Sequence, residues 1–303
     1  MVRIHDRPLA FLHVPKSAGT SAYLALEAAL PAGSLCPRRM DPSMFCGFDA
    51  FDQLGEVARG VVAANEAEVA DLARYPVVSG HFALATLTRF APPQKIATVL
   101  REPRARLLSH YLYLRLTPGI RETWHPYDTF TPADRPLDEF LADPRVATAT
   151  DNKTCRMLLH GDPRVRDGEF IAESDLGTIA EAAWERLERL GFVGLLEDGD
   201  TTWAGLGAFF GVGLAPDRVN AIGANGSRPG ALPVPPVTPG ALALLERRTA
   251  ADAILYRRVA ARRHGEGSAV QRADDVFAAQ LGRLERGTLA RGIAPGSGEA
   301  DHP

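Results

Sequence analysis

The segment Phe11-Leu-His-Val-Pro-Lys-Ser-Ala-Gly-Thr-Ser21 joins an apolar run to an Ala- and Leu-rich stretch through a short loop that carries a lysine. Residues 9–14 have the character of a strand and residues 21–30 that of a helix. Pro15, Lys16 and Gly19 punctuate the loop between them. The first N–H groups of a helix lack partners within it, and the aligned peptide dipoles add partial positive charge there. With the full charge of Lys16, the run Lys16, Ser17, Ala18, Gly19, Thr20 and Ser21 is a candidate anion site, and a phosphate or sulfate is the expected ligand. A Walker A loop, G-x-x-x-x-G-K-[ST], is excluded, because there the lysine follows the second glycine, whereas here Lys16 precedes Gly19.

Two further segments carry matching chemistry. In Val99-Leu-Arg-Glu-Pro-Arg-Ala-Arg-Leu-Leu-Ser-His-Tyr111, Arg101 stands where a strand should end and Ser109 lies in the helix that Pro103 opens. A guanidinium fork matches phosphate oxygens, and a serine hydroxyl adds a donor. The alternatives are an Arg101–Glu102 ion pair and a Ser109 bond back to a helix carbonyl. Arg104 and Arg106 read as solvated helix charges. In Val77-Val-Ser-Gly-His-Phe82, His81 follows a strand and a glycine, which suits a cleft at the carboxyl edge of a parallel sheet. Histidine titrates near neutrality and can take a proton from a hydroxyl nucleophile. His13, three residues before Lys16, is the second candidate base or helps shape the anion site. His110 reads as a surface or packing residue.

These segments need a scaffold of alternating strands and helices. Strand-like runs fall at residues 9–14, 76–79, 96–100 and 192–196; helical periodicity marks 21–30, 66–75, 103–116, 137–141, 148–160, 176–190 and 201–210. The fold class expected is α/β, a mostly parallel sheet covered on both faces. Residues 117–135, rich in Pro, Thr and aromatics, read as a long loop or lid. Trp124, His125, Tyr127 and Phe130 in it would either stack on a ligand ring or pack in the core. Arg115 and Arg121 are guides for a charged acceptor or plain surface charges. Residues 228–240, with five prolines and two glycines, read as a stiff connector before a helical block at 241–264. The expected division is a main domain at 1–264 and a C-terminal helix with a flexible tail at 265–303.

Composition bounds the function. The 303 residues allow one large domain or two small ones, and 46% apolar residues can fill a core. A net charge of −3 argues against a general nucleic-acid binder. No apolar run suffices to span a bilayer and no signal-peptide core opens the chain, so the expected location is cytoplasmic. Cys36, Cys46 and Cys155 are too few and too irregular for a disulfide framework or a zinc site; they read as reduced thiols, with a Cys36–Cys46 loop as the alternative.

Taken together, the segments resemble the sulfotransferases that use 3′-phosphoadenosine 5′-phosphosulfate (PAPS). Lys16 to Ser21 match the family's P-K-[ST]-x-[GS]-[ST]-[ST] loop, which holds the 5′-phosphosulfate. Arg101 and Ser109 match the arginine and serine that grip the 3′-phosphate, and the Gly80–His81 pair matches that of the heparan 2-O type, whose histidine is the catalytic base. Asp151-Asn-Lys-Thr-Cys-Arg-Met-Leu158 is similar to N-x-x-[TR]-R-x-L near the acceptor cleft, with Asn152 and Arg156 either in that cleft or on a helix surface. Phe192-Val-Gly-Leu-Leu-Glu-Asp198 is similar to the core strand V-G-L-x-E, residues 220–228 to a loop over the nucleotide, and Asp252-Ala-Ile-Leu-Tyr256 to D-x-x-L-Y. The resemblance runs in order over about residues 8–260. It implies a P-loop-like central parallel β-sheet flanked by helices, PAPS as co-substrate, no metal, His81 and Lys16 as catalytic residues, and a hydroxyl acceptor such as a saccharide or glycosylated metabolite. A P-loop-like nucleotide kinase and a non-catalytic anion- or glycan-binding protein are the alternatives.

Overall fold

Five strands, all parallel, form one sheet: β1 (Leu9–Leu12), β2 (Arg39–Met40), β3 (Val77–His81), β4 (Ile96–Leu100) and β5 (Phe192–Leu195), in the order β2-β3-β1-β4-β5. The computed structural model describes residues 8–42, 51–63, 65–117, 123–125, 131–215 and 232–292. The register pairs Leu9 with Val77 and Ala10 with Ile96, so the short β1 is the centre of the sheet. Successive side chains alternate between faces. Ala10, Leu12, Val78, Ile96 and Leu100 enter the main core on one face, while Phe11, Val77, Ala97 and Val99 enter a second cluster on the other. Burial on both faces explains why these strands read as continuous apolar runs. The edge strand β2 is two residues long and has no such run.

Helices around the sheet and the site include α1 (Gly19–Ala29), α2 (Pro103–Leu116), α3 (Leu137–Ala142), α4 (Lys153–Leu159), α5 (Leu176–Leu187), α6 (Asp200–Phe210), α7 (Pro239–Arg248), α8 (Ala250–His264) and α9 (Glu266–Gly292). Ala22 and Leu26 of α1 and Leu206 and Phe210 of α6 cover one face of the sheet. Met157, Ile179 and Leu255, from α4, α5 and α8, cover the other. The connection after β1 leads towards β2 and β3, while that after β4 leads towards β5. Neighbouring central strands thus send their chains apart, which opens a crevice at their carboxyl ends.

Several expected elements differ from the structure. The helix expected over 148–160 is interrupted at Asn152, whose φ is +47°. Its side-chain oxygen accepts from Ala251 N (2.8 Å) and Asp252 N (3.2 Å) at the start of α8. Asp252 in turn accepts from Thr154 N and Cys155 N, both at 2.9 Å, so two helix N-termini cap each other. The block expected over 241–264 is divided at Thr249 into α7 and α8. The C-terminal helix expected within 265–303 runs over Glu266–Gly292, with Ala269 and Ala273 in the main core.

The end of β4 is pinned from two sides. Glu197, just after β5, accepts from Glu102 N at 2.9 Å and from Tyr256 Oη at 3.2 Å. Glu102 caps α2 through Ala105 N at 2.7 Å. Among the described residues no helix is long and apolar enough to cross a membrane.

Candidate active site

The loop between β1 and α1 is tightly shaped. Lys16 (φ +67°) and Ala18 (φ +59°) are both left-handed, a conformation that non-glycine residues adopt only under constraint. Ala18 offers no side-chain cap to α1. A Cβ on Gly19 would lie 1.7 Å from Cδ2 of His13, so glycine is needed there for close approach of the imidazole. The Ser17 hydroxyl is buried and has no hydrogen-bond partner among the described residues.

Arg101, at the end of β4, joins this loop. Its Nη1 donates to the Lys16 carbonyl at 3.1 Å. The Lys16 ammonium lies 4.0 Å from the centroid of the Tyr113 ring. Burial, and beyond it the Arg101 charge, lowers the Lys16 pKa to about 8, so it stays mostly protonated at neutral pH. Ser109 is buried on α2.

Arg106, Ser109, His110 and Tyr113 follow i, i+3, i+4, i+7 spacing and share one face of α2. Two assignments are corrected here. Arg106 is not a solvated helix charge: it is 1% exposed, and none of its guanidinium nitrogens has a hydrogen-bond partner among the described residues. Burial pushes its pKa down to about 10, with the Asp252 charge opposing the shift. Arg104 is mostly covered as well; it pairs with Glu102 (2.7 Å) and Asp274 (2.8 Å) and lies over the Phe277 ring.

His81, at the tip of β3, is half-buried. Its Nδ1 is 2.9 Å from the His13 carbonyl oxygen. A carbonyl only accepts, so Nδ1 carries the proton and Nε2 presents its lone pair. The His13 and His81 rings lie against each other, with centroids 3.9 Å apart and planes tilted by 33°. Burial chiefly, then the charges of Lys153 and Lys16, lowers the His81 pKa to about 4 against the opposing bond to the His13 carbonyl. His13 is held well below its ordinary value by burial and then by His81, Lys16 and Arg38. His110 is likewise held low, by burial and then by Arg106, Lys16, Lys153 and His81. Neutral imidazoles thus share this region with the cations of Lys16, Arg106 and Lys153.

His110 and Lys153 are the residues that sequence reasoning missed. The polar spacing 106-109-110-113 in a helix otherwise rich in leucine was the available signal for His110. Lys153 is 3% exposed at the start of α4, a position set by the Asn152 break.

Several candidates fall elsewhere. Arg156 holds Asp151 at 2.9 Å and the carbonyls of Arg166 and Glu169, so it is neither in a cleft nor on a surface. Asn152 is committed to α8. Arg115 is buried and donates to the carbonyls of Pro233 (2.9 Å) and Ala133 (2.6 Å), which makes it structural. Trp124 packs against apolar clusters, and His125 is exposed. Arg121, Tyr127, Phe130, the 220–228 loop and Cys46 lie outside the described residues; Cys36 is buried with a free thiol.

The histidines make stability depend on pH. Their pKa values in the fold lie below the ordinary 6.5, so between pH 6.5 and about 4 the unfolded chain binds more protons. Stability is therefore expected to fall as pH drops through that window, by up to about 1.4 kcal/mol per pH unit for each histidine. Denaturant midpoints at pH 7.5 and 5 measure this. His110→Gln should flatten the slope, and an unchanged slope would contradict the lowered pKa of His110.

Compared with protein-family models and with curated proteins, the chain matches none.

Proposed function

We propose that this protein is a PAPS-dependent sulfotransferase of the cytoplasm, with a P-loop-like sulfotransferase fold, acting on an acceptor hydroxyl of a saccharide or glycosylated metabolite. The observation that carries the proposal is the 3.1 Å bond from Arg101 to the Lys16 carbonyl. It unites the loop suited to a 5′-phosphosulfate with the arginine suited to a 3′-phosphate, and PAPS carries both groups on one ribose. The position of the lysine loop after the central strand of the order β2-β3-β1-β4-β5 supports the fold assignment. The donor set also fits: among the described residues Ser17 Oγ and the Arg106 nitrogens are buried without hydrogen-bond partners, and the charges of Lys16, Arg101 and Lys153 act in this region.

When bound, PAPS supplies an electrophilic sulfur and a phosphate leaving group. His81 accepts the acceptor's hydroxyl proton at Nε2 as the new O–S bond forms and the S–O bond to phosphate breaks, with the electron pair leaving on phosphate oxygen. Lys16 and the α1 N-terminus stabilise that developing charge, and preorganised donors in a partly desolvated site do so efficiently. Arg101 and Ser109 hold the nucleotide in register.

Incubation with radiolabelled PAPS and a panel of glycans and small alcohols tests the reaction. Label is expected to pass to a hydroxyl compound. A protein that binds the nucleotide yet transfers label to no acceptor would be a binding module on the same fold.

A further inference from the structure

Helix α9 brings a second arginine to the one at the end of β4. Arg101 Nη2 donates to Oε1 of Gln280 at 3.2 Å, and Arg283 Nη2 donates to the same oxygen at 2.9 Å. Two full positive charges therefore converge on an acceptor with no net charge. Burial lowers the pKa of Arg101, and the nearby Arg283 charge lowers it further, while Glu197 and Glu102 oppose the shift. Glu197 is engaged with Glu102 N and Tyr256, and Glu102 with Arg104 and Ala105 N.

The placement of α9 is fixed by packing. Phe277, Leu281 and Leu284 join the apolar cluster that holds α2, and Asp274 pairs with Arg104. Gln280 lies on this inward face, 6% exposed, with Arg283 one turn on at the solvent edge. The site thus has a half-buried arginine, Arg101, beside the buried Gln280, and an open side, Arg283. A phosphate monoester has terminal oxygens for both guanidinium forks and the charge to offset their repulsion.

We propose that Arg283, aided by Gln280, completes the subsite for the nucleotide's 3′-phosphate, an inference that rests on the PAPS reading above. Gln280 Oε1 holds the place of a phosphate oxygen. Rotation of its terminal amide presents Nε2 as a further donor when the phosphate enters. The C-terminal helix is thereby part of the binding site.

Calorimetric titration of the full chain with 3′-phosphoadenosine 5′-phosphate and with adenosine 5′-phosphate tests this. Arg283→Ala is expected to weaken the first by about tenfold and leave the second unchanged. Gln280→Glu places a carboxylate between the arginines and should weaken the first by about tenfold or more. Unchanged affinity in Arg283→Ala, or equal losses for both nucleotides, overturns the proposal. If the wild type binds neither nucleotide, the PAPS reading falls by itself and inorganic sulfate decides the subsite. Thermal stabilisation by sulfate that is lost in Arg283→Ala upholds a two-arginine anion site, and equal behaviour of the two proteins overturns it.

Discussion

Replacing His81 with alanine is expected to reduce sulfuryl transfer by about 10²–10³-fold while leaving the affinity for 3′-phosphoadenosine 5′-phosphate close to wild type. A hydroxyl becomes a competent nucleophile only as its proton leaves, and Nε2 of His81 is the nitrogen left available once Nδ1 is committed to the His13 carbonyl. His81→Asn is the sharper variant, since its amide can still donate a hydrogen bond yet supplies no base. Its loss should appear in kcat with little change in the KM for PAPS. His13 is the competing base. Its ring lies against that of His81 and across the start of α1, so His13→Ala should disturb nucleotide binding as well as turnover. A pure kcat loss in His13→Ala, with His81→Asn active, would reverse the assignment.

Lys16→Ala carries the other large effect. Loss of the ammonium is expected to lower turnover on the order of 10²–10³-fold and also to weaken nucleotide binding, because in the proposed reaction the same charge would face the phosphosulfate before and during transfer. The lowered pKa of Lys16, about 8, adds a signature. Above that pH the group loses its charge, so kcat/KM should fall on the alkaline side. Lys16→Arg keeps a permanent charge and should move this fall to higher pH even where the rate is lower. An unchanged alkaline limb in Lys16→Arg would show that another group sets it.

Local signals made part of this legible. The apolar runs at residues 9–14 and 96–100, with Pro, Gly and Lys at their ends, mark β1, β4 and the loop that Lys16 occupies, because strands buried on both faces and tight loops leave short-range traces. Arg101 and His81 were placed at strand ends for the same reason. What was not legible depends on distant chain. Arg104 and Arg106 read as solvated because arginine usually is, but α9 covers the former and α8 brings Asp252 near the latter. The break at Asn152 depends on a bond to residues about a hundred positions later, and with it the position of Lys153. Gln280 and Arg283 carry no motif; only the packing of Phe277 and Leu284 against α2 brings them to Arg101.

The central claim is recognition of a nucleotide bearing a 3′-phosphate, and one titration tests it most directly. Wild-type protein and Arg101→Ala are compared for thermal stabilisation by 3′-phosphoadenosine 5′-phosphate and by ATP. Stabilisation of the wild type by the former, far above that by ATP and abolished in Arg101→Ala, is the predicted result. Equal stabilisation by ATP, indifferent to the 3′-phosphate and to Arg101, would contradict the account.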